Sequence, residues 1–197
     1  VYFSTYNNLY SRVSRSRDGG ATFEPVLPSS AGCLNFRLSV APSDPDRVLA
    51  SGHVGPGLSP GAAGLYLSSD GGTTWTEAPI LFDDGTFADH AVYAPSQPNL
   101  IYAAVRTAEG KPAVYKSLNG GKTWSKAGAP TDPDWSVSNI SGLAVHPTKP
   151  NTLYAATWFP GVYKSVNGGA TWSRLMNAPN GGACVGSNPS APQHSLV

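Results

Sequence analysis

Short apolar runs separated by turn residues follow one another along the chain, and their order is clearest over residues 142–175. Residues 143–145 (LAV) predict an inner strand, and LYAAT at 153–157 and GVYKS at 161–165 predict two further strands. Pro147 and Pro150 predict a turn between the first two strands, because proline lacks a ladder donor. Residues 170–173 are predicted to open a fourth strand, so each copy should form four antiparallel strands.

An eight-residue signature closes each copy of this pattern. It reads SRDGGATF at 16–23, SSDGGTTW at 68–75, SLNGGKTW at 117–124 and SVNGGATW at 165–172, with first serines 52, 49 and 48 residues apart. A fixed motif at such a period predicts one supersecondary unit stacked repeatedly. Four antiparallel strands per unit make a propeller blade, so the predicted fold is an all-β β-propeller.

The first copy lacks an inner strand, and residues 193–197 resemble the start of a second strand. The predicted domain is therefore one propeller or propeller segment over residues 1–197. Its blades cover 33–80, 86–130, 138–178, and 1–30 completed by a C-terminal strand within 183–197. A small closed ring and part of a larger ring both fit this pattern. Because the chain begins inside a strand-like segment (VYFST), we expect a mature form or an excised piece.

Composition narrows the classes of function. The 22 glycines and 18 prolines punctuate many short strands, and the 40% hydrophobic content excludes disorder. With 13% charged residues and a net charge of +1, no basic stripe is present to bind nucleic acid. No apolar run is long enough to span a membrane. No cofactor motif was found, and neither a metal site nor a cofactor is expected.

Two features favour secretion. Cys33 and Cys184 fit one disulfide in an oxidising compartment, although two unpaired thiols fit the sequence as well. A closed four-blade ring would place these cysteines in neighbouring blades. Residues 139–141 form an Asn-x-Ser sequon, which adds weak support.

The eight-residue signatures, with the Pro-x-x-Pro turn and the (L/I)YAA strand before them, resemble the Asp-box or BNR repeat. That family includes sialidases, sortilin-type receptors, photosystem assembly factors and twin-propeller xyloglucan hydrolases. The copies GLYLSSDGGTTW and GVYKSVNGGATW look most similar to the xyloglucanase type of secreted bacterial propeller. The resemblance implies the blade and not a chemistry, since these families share the fold and differ in activity.

Inside each box, every residue has a predicted structural role. The Asp or Asn should accept backbone amides of its own turn, and the aromatic residue should bury its ring between sheets. These residues are Asp18, Asp70, Asn119 and Asn167, and Phe23, Trp75, Trp124 and Trp172. Because two boxes carry Asn, a negative charge is not required, which argues against catalysis or metal binding there.

Candidate ligand-binding residues lie on the opposite side, in the loops between second and third strands and between blades. Trp135 and Trp158 lie outside the boxes and suit stacking on sugars, or alternatively cap the core. Tyr6, His53, His90 and Arg106 complete the predicted ligand-binding set.

The loop LFDDGTFADH supplies the weak catalytic candidates Asp83, Asp84 and Asp89, since a pair of carboxylates suits glycoside hydrolysis. Adjacent aspartates are more often a solvated turn or a cation site with oxygen ligands. A sialidase is disfavoured, because Arg37 does not lie in the Arg-Ile-Pro motif of that family.

The sequence therefore leaves two functions open. The favoured one is a secreted, non-catalytic propeller that recognises a carbohydrate or a protein. The alternative is a fragment of a xyloglucanase-like glycoside hydrolase whose cleft lies partly outside this chain. Self-association to complete a ring is a further possibility.

Overall fold

The structure is a computed structural model that describes residues 1–6, 11–27, 33–54, 64–79, 87–107, 109–131, 137, 139–157 and 161–177. These residues form fifteen strands in four antiparallel sheets. Blade 1 contains β1 (Tyr2–Tyr6), β2 (Ser11–Arg15) and β3 (Glu24–Leu27). Blade 2 contains β4 (Cys33–Ala41), β5 (Asp44–Val54), β6 (Leu65–Ser68) and β7 (Thr76–Glu77).

The remaining two blades repeat this order. Blade 3 contains β8 (Phe87–Ala94), β9 (Gln97–Arg106), β10 (Pro112–Ser117) and β11 (Ser125–Gly128). Blade 4 contains β12 (Ile140–Val145), β13 (Leu153–Thr157), β14 (Gly161–Ser165) and β15 (Ser173–Asn177). Each sheet is an up-and-down meander in chain order. The predicted all-β propeller architecture is confirmed.

The fourth strand of blade 4 begins later than predicted, at Ser173 instead of residue 170. The intervening residues belong to the box turn, which holds them by hydrogen bonds. The Thr171 amide donates to Asn167 Oδ1 at 2.9 Å, and Trp172 Nε1 donates to Gly169 O at 2.9 Å. These bonds prevent residues 171 and 172 from joining the ladder.

Three apolar cores lie between successive blades. Val13, Leu27, Phe36 and Ala50 fill the space between blades 1 and 2. Leu49, Leu65, Ile101 and Val105 contribute to the core between blades 2 and 3, and Tyr102, Val114, Leu153 and Tyr163 to that between blades 3 and 4. The blades therefore stack in chain order. The face of a sheet is buried where a neighbouring blade packs against it.

Two edges of the stack carry different connections. On one edge, which we call the box edge, the box turns of blades 2, 3 and 4 bond to the chain at or just before the start of the second strand of the same blade. The amides of Gly71, Gly120 and Gly168 donate to the carbonyls of Asp46, Asn99 and Asn151, each at 2.8 Å. The other edge, the loop edge, carries the connections between second and third strands. This division agrees with the one expected from the sequence.

Candidate functional site

Four predicted ligand-binding residues share one position in the sequence repeat, and the three of them whose backbone the structure describes lie at the loop edge. In each copy, the residue immediately before the box serine pairs with one residue of the second strand. The predicted ligand-binding residue lies four residues after that second-strand residue. Tyr6 and Arg106 end β1 and β9, and His53 lies next to the end of β5. Trp158 follows β13 at the same spacing but lies outside the described residues. The four copies thus carry four different residue types at this position of the sequence repeat.

Asp89 and Arg106 form an ion pair at this edge. Asp89 is the extra residue of a β-bulge in β8, which lies between the pairs Ala88–Val105 and His90–Ala104. Its Oδ2 lies 3.6 Å from Arg106 Nη2, and the aspartate side chain is 15% exposed against 33% for the arginine. The bulge therefore directs a carboxylate toward the end of the neighbouring strand β9.

His90 is held neutral between blades 3 and 4. Its Nδ1 accepts the backbone amide of Leu143 at 2.9 Å, so the ring proton lies on Nε2. Burial, with a smaller contribution from the positive charge of Arg37, lowers the pKa of His90 from 6.5 to about 4. At neutral pH, His90 therefore joins two inner strands as a hydrogen-bond acceptor. This contact gives His90 a structural role, and its predicted ligand-binding role stays a prediction.

Sequence reasoning missed the roles of Arg37 and Ser51, two residues of blade 2 that act on the inner strand of blade 3. Arg37 lies opposite Ser51 in blade 2, as His90 lies opposite Ala104 in blade 3. Ser51 Oγ accepts the amide of Ala91 at 3.0 Å. Ala91 and Leu143 occupy equivalent positions in the inner strands of blades 3 and 4. In both blades, therefore, a side chain of the preceding blade accepts the hydrogen bond of the amide at this position.

The box turns are closed by their own side chains. In blade 3, Ser117 Oγ accepts the amide of Gly121 at 2.8 Å and donates to Asn119 Oδ1 at 3.0 Å. The Thr123 amide donates to Asn119 Oδ1 at 2.9 Å. The same three bonds recur in the other boxes, formed by Ser16, Ser68 and Ser165 with Asp18, Asp70 and Asn167.

Exchange of Asp for Asn mainly changes the hydrogen bond between this residue and the threonine hydroxyl of the turn. The Thr74 hydroxyl donates to Asp70 Oδ2 at 2.6 Å, whereas Asn119 Nδ2 donates to the Thr123 hydroxyl at 2.8 Å. Because a hydroxyl both donates and accepts, either residue closes the turn. Hydrogen bonding to Thr74 lowers the pKa of Asp70 to about 2, and the Thr22 contacts lower that of Asp18.

Phe23 departs from the expectation that every box aromatic is buried between sheets. It is 43% exposed and packs edge-to-face on Phe3, with ring centroids 4.6 Å apart. The box tryptophans, for example Trp75 and Trp124, are less exposed because each packs against the core shared with the preceding blade. Blade 1 has no such neighbour among the described residues.

Several predicted residues lie outside the described residues, so their roles stay predictions. They are Asp83, Asp84, Trp135, Trp158 and Cys184, together with the side chains of Tyr6, Cys33 and His53. Among the described residues, no group of three or more His, Cys, Asp or Glu side chains could hold a metal ion. No helix in the described part of the chain is long and apolar enough to cross a membrane.

Sequence comparison relates this blade stack to sorting receptors, although no family model matches the chain. The chain is 32% identical to vacuolar protein sorting/targeting protein 10 of Pyricularia oryzae, over 58% of this chain and 8% of that protein. It is 26% identical to the VPS10 domain-containing receptor SorCS1 of Mus musculus, over 63% of this chain and 11% of that protein. The chain thus spans only about a tenth of these relatives.

Solved propellers share the fold. An ancestral GH74 enzyme matches 91% of this chain and 23% of its own, with a TM-score of 0.67 and 21% identity. YCF48 from Cyanidioschyzon merolae matches 91% of this chain and 57% of its own, with a TM-score of 0.58 and 17% identity. The resemblance to Asp-box propellers is confirmed at the level of fold, and the sequence relatives are sortilin-type proteins of that class.

Proposed function

We propose that this chain is a non-catalytic recognition module that binds its ligand at the loop edge. The observation that carries this proposal is the divergence at one repeat position, where Tyr6, His53, Arg106 and Trp158 stand in the four copies. The box edge, in contrast, repeats the same hydrogen bonds in every blade. Variable side chains on a rigid scaffold are typical of binding surfaces.

A peptide or protein ligand is the better supported class. The sequence relatives include receptors, and a propeller of similar fold, YCF48, has been solved bound to a D1 peptide. Arg106 is one-third exposed, so its guanidinium can donate hydrogen bonds to a ligand carboxylate or carbonyl while Asp89 orients it. A carbohydrate is the second class, supported by the fold shared with GH74 enzymes and by the sugar-stacking potential of Trp135 and Trp158.

The alternative, a fragment of a glycoside hydrolase, has less support. Of its three acid candidates, Asp83 and Asp84 lie outside the described residues. Asp89 lies 3.6 Å from the Arg106 guanidinium, an arrangement that serves to orient a side chain. Similarity to a GH74 xyloglucanase from Xanthomonas campestris, at 23% identity and a TM-score of 0.62, concerns the fold.

We also propose an extracellular location. Asn139 of the sequon is partly exposed immediately before β12, where a glycan could be attached. Oxidative pairing of Cys33 with Cys184 would suit the same compartment. Expression through a eukaryotic secretory pathway, followed by glycosidase treatment, tests this proposal. A mass decrease that Asn139→Gln abolishes supports it, and an unmodified intracellular product contradicts it.

The binding proposal is tested with an array of random peptides and a panel of xyloglucan oligosaccharides. Any probe that binds the wild type is then titrated against Arg106→Ala and the matched control Lys122→Ala, an exposed cation on the box edge. We expect Arg106→Ala to weaken binding at least about tenfold, equivalent to about 1.4 kcal/mol, and Lys122→Ala to leave it unchanged. Equal effects of the two variants would contradict binding at the loop edge.

A further inference from the structure

Each box turn contains an Asn-Gly or an Asp-Gly pair. The pairs Asn119–Gly120 and Asn167–Gly168 combine the two residues that deamidate most readily in peptides, because glycine has no side chain to hinder attack by its own nitrogen. In this reaction, the glycine amide nitrogen loses its proton and bonds to Cγ of the asparagine. Ammonia leaves, a cyclic succinimide forms, and water opens the ring to aspartate or isoaspartate.

The folded turn of blade 3 engages both reacting groups in other bonds. The Gly120 amide donates to the Asn99 carbonyl at 2.8 Å, so the proton that the reaction must remove is already shared. Asn119 Oδ1 accepts the Thr123 amide at 2.9 Å and the Ser117 hydroxyl at 3.0 Å. The leaving nitrogen, Nδ2, donates to the Thr123 hydroxyl at 2.8 Å. Formation of the succinimide therefore requires that the turn opens.

Blade 4 holds its Asn-Gly pair in the same way. The Gly168 amide donates to the Asn151 carbonyl at 2.8 Å. Asn167 Oδ1 accepts the Thr171 amide and the Ser165 hydroxyl, each at 2.9 Å, and Nδ2 donates to the Thr171 hydroxyl at 2.8 Å. The two turns are matched copies within one chain, so each serves as an internal control for the other.

A side chain of the preceding blade covers each of these glycines. A Cβ added to Gly120 would lie 2.7 Å from Arg47 Nη2 of blade 2. One added to Gly168 would lie 3.3 Å from the Tyr102 hydroxyl of blade 3. Arg47 also donates to Asn99 Oδ1 at 3.1 Å, beside the carbonyl that accepts the Gly120 amide. Opening of a turn is therefore coupled to its contact with the preceding blade.

The aspartate boxes provide a chemical contrast. An ionised carboxylate is a poor electrophile, so an Asp-Gly pair forms the succinimide from its protonated acid. Hydrogen bonds from Thr74 lower the pKa of Asp70 to about 2, which keeps this carboxylate ionised at neutral pH. The asparagine boxes are therefore the reactive ones.

The two products differ in whether they fit the turn. Aspartate fits, because Asp18 and Asp70 already close box turns with the same bonds as the asparagines. Isoaspartate continues the chain through its former side chain, so its backbone is one atom longer and its carboxylate lies directly on Cα. In blade 3, this change displaces the carboxylate from the Thr123 amide and the Gly120 amide from the Asn99 carbonyl.

We propose that Asn119 and Asn167 deamidate spontaneously, each only when its own box turn opens, and that isoaspartate at either position prevents the turn from closing again. Because each turn is held by its own bonds, the two reactions record the opening of blades 3 and 4 separately. The aspartate product returns to a native blade, whereas the isoaspartate product leaves that blade open.

Peptide mapping by mass spectrometry, after incubation of the chain in buffer and in urea, tests the first part. We expect both asparagines to react at least about a hundredfold more slowly in the folded chain, because local opening limits the reaction. Asn180–Gly181, a pair outside the boxes, reports the rate in urea. Ser117→Ala should accelerate the reaction of Asn119 about tenfold with little effect on Asn167, and Ser165→Ala should do the reverse.

Refolding tests the second part. Chains deamidated in urea are returned to buffer, limited proteolysis removes unfolded chains, and isoaspartate is located in the resistant fraction by enzymatic methylation. We expect this fraction to contain aspartate but no isoaspartate at positions 119 and 167, and Asn119→Asp to refold like the wild type. Equal rates in the folded and unfolded chains, equal acceleration of both asparagines by Ser117→Ala, isoaspartate in the resistant fraction, or failure of Asn119→Asp to refold would overturn the proposal.

Discussion

The contact of His90 with the neighbouring blade makes stability depend on pH. Protonation of Nδ1 would break its hydrogen bond with the Leu143 amide and place a charge beside Arg37 in a buried site. The folded state therefore binds the proton less tightly than the unfolded state. Stability should be complete above the unfolded pKa of 6.5 and should fall as the pH decreases toward the folded pKa of about 4.

The expected loss follows from these two pKa values. Between pH 7 and pH 5 the free energy of unfolding should decrease by about 2 kcal/mol, because most unfolded chains and few folded chains bind the proton at pH 5. For a chain of this length, this corresponds to a decrease in Tm of about 4–8 °C. The interval lies above the range in which Asp18 and Asp70 titrate, since hydrogen bonds lower both of their pKa values.

Urea unfolding at pH 7 and at pH 5 measures this difference. His90→Gln supplies an amide oxygen that can accept the Leu143 amide without titrating, so it should lose much less stability than the wild type over the interval. His146→Gln removes a histidine from a box-edge turn and should retain the loss that His90 causes. If His90→Gln and the wild type lose the same free energy, the proposed role of His90 is wrong.

Three further variants test the box turns. Ser117→Ala removes the acceptor of the buried Gly121 amide and should cost about 1–3 kcal/mol in urea unfolding, whereas the exposed Ser125→Ala should stay within about 0.5 kcal/mol. Gly121→Ala, at φ +92°, would overlap Leu67 of blade 2, so it should be more destabilising by about 1–3 kcal/mol than Gly20→Ala, at φ +101°, whose added Cβ would meet only Phe23. Asn119→Asp should change the free energy of unfolding by less than about 0.5 kcal/mol at pH 7, because the Thr123 hydroxyl can donate instead of accept; a larger loss would contradict the interchangeability of Asp and Asn.

Much of the fold could be predicted from the sequence, because its determinants are local. The second and third strands of blade 4 match the predictions at LYAAT and GVYKS, since alternating apolar residues and flanking turn residues specify them. The start of the fourth strand was predicted too early. Its position depends on the side-chain bonds of Asn167, which keep residues 171 and 172 in the turn although their sequence suits a strand.

The candidate site was less predictable, since its contacts join residues distant in sequence. The equivalence of Tyr6, His53, Arg106 and Trp158 could have been found by counting four residues from the second-strand position. The pairing of Asp89 with Arg106 depends on a bulge that no residue type marks. The contact of His90 with Leu143 spans 53 residues and needs two inner strands at the correct distance.

The loop edge is proposed to recognise its ligand without altering it chemically. Mass spectrometry of a peptide or oligosaccharide that binds the chain, recovered after prolonged incubation with stoichiometric protein, tests this claim most directly. We predict that the bound probe is recovered intact and that Arg106→Ala reduces the amount recovered. Cleavage of the probe by the wild type, lost in Asp89→Asn, would contradict the claim and support a glycoside hydrolase or another hydrolase instead.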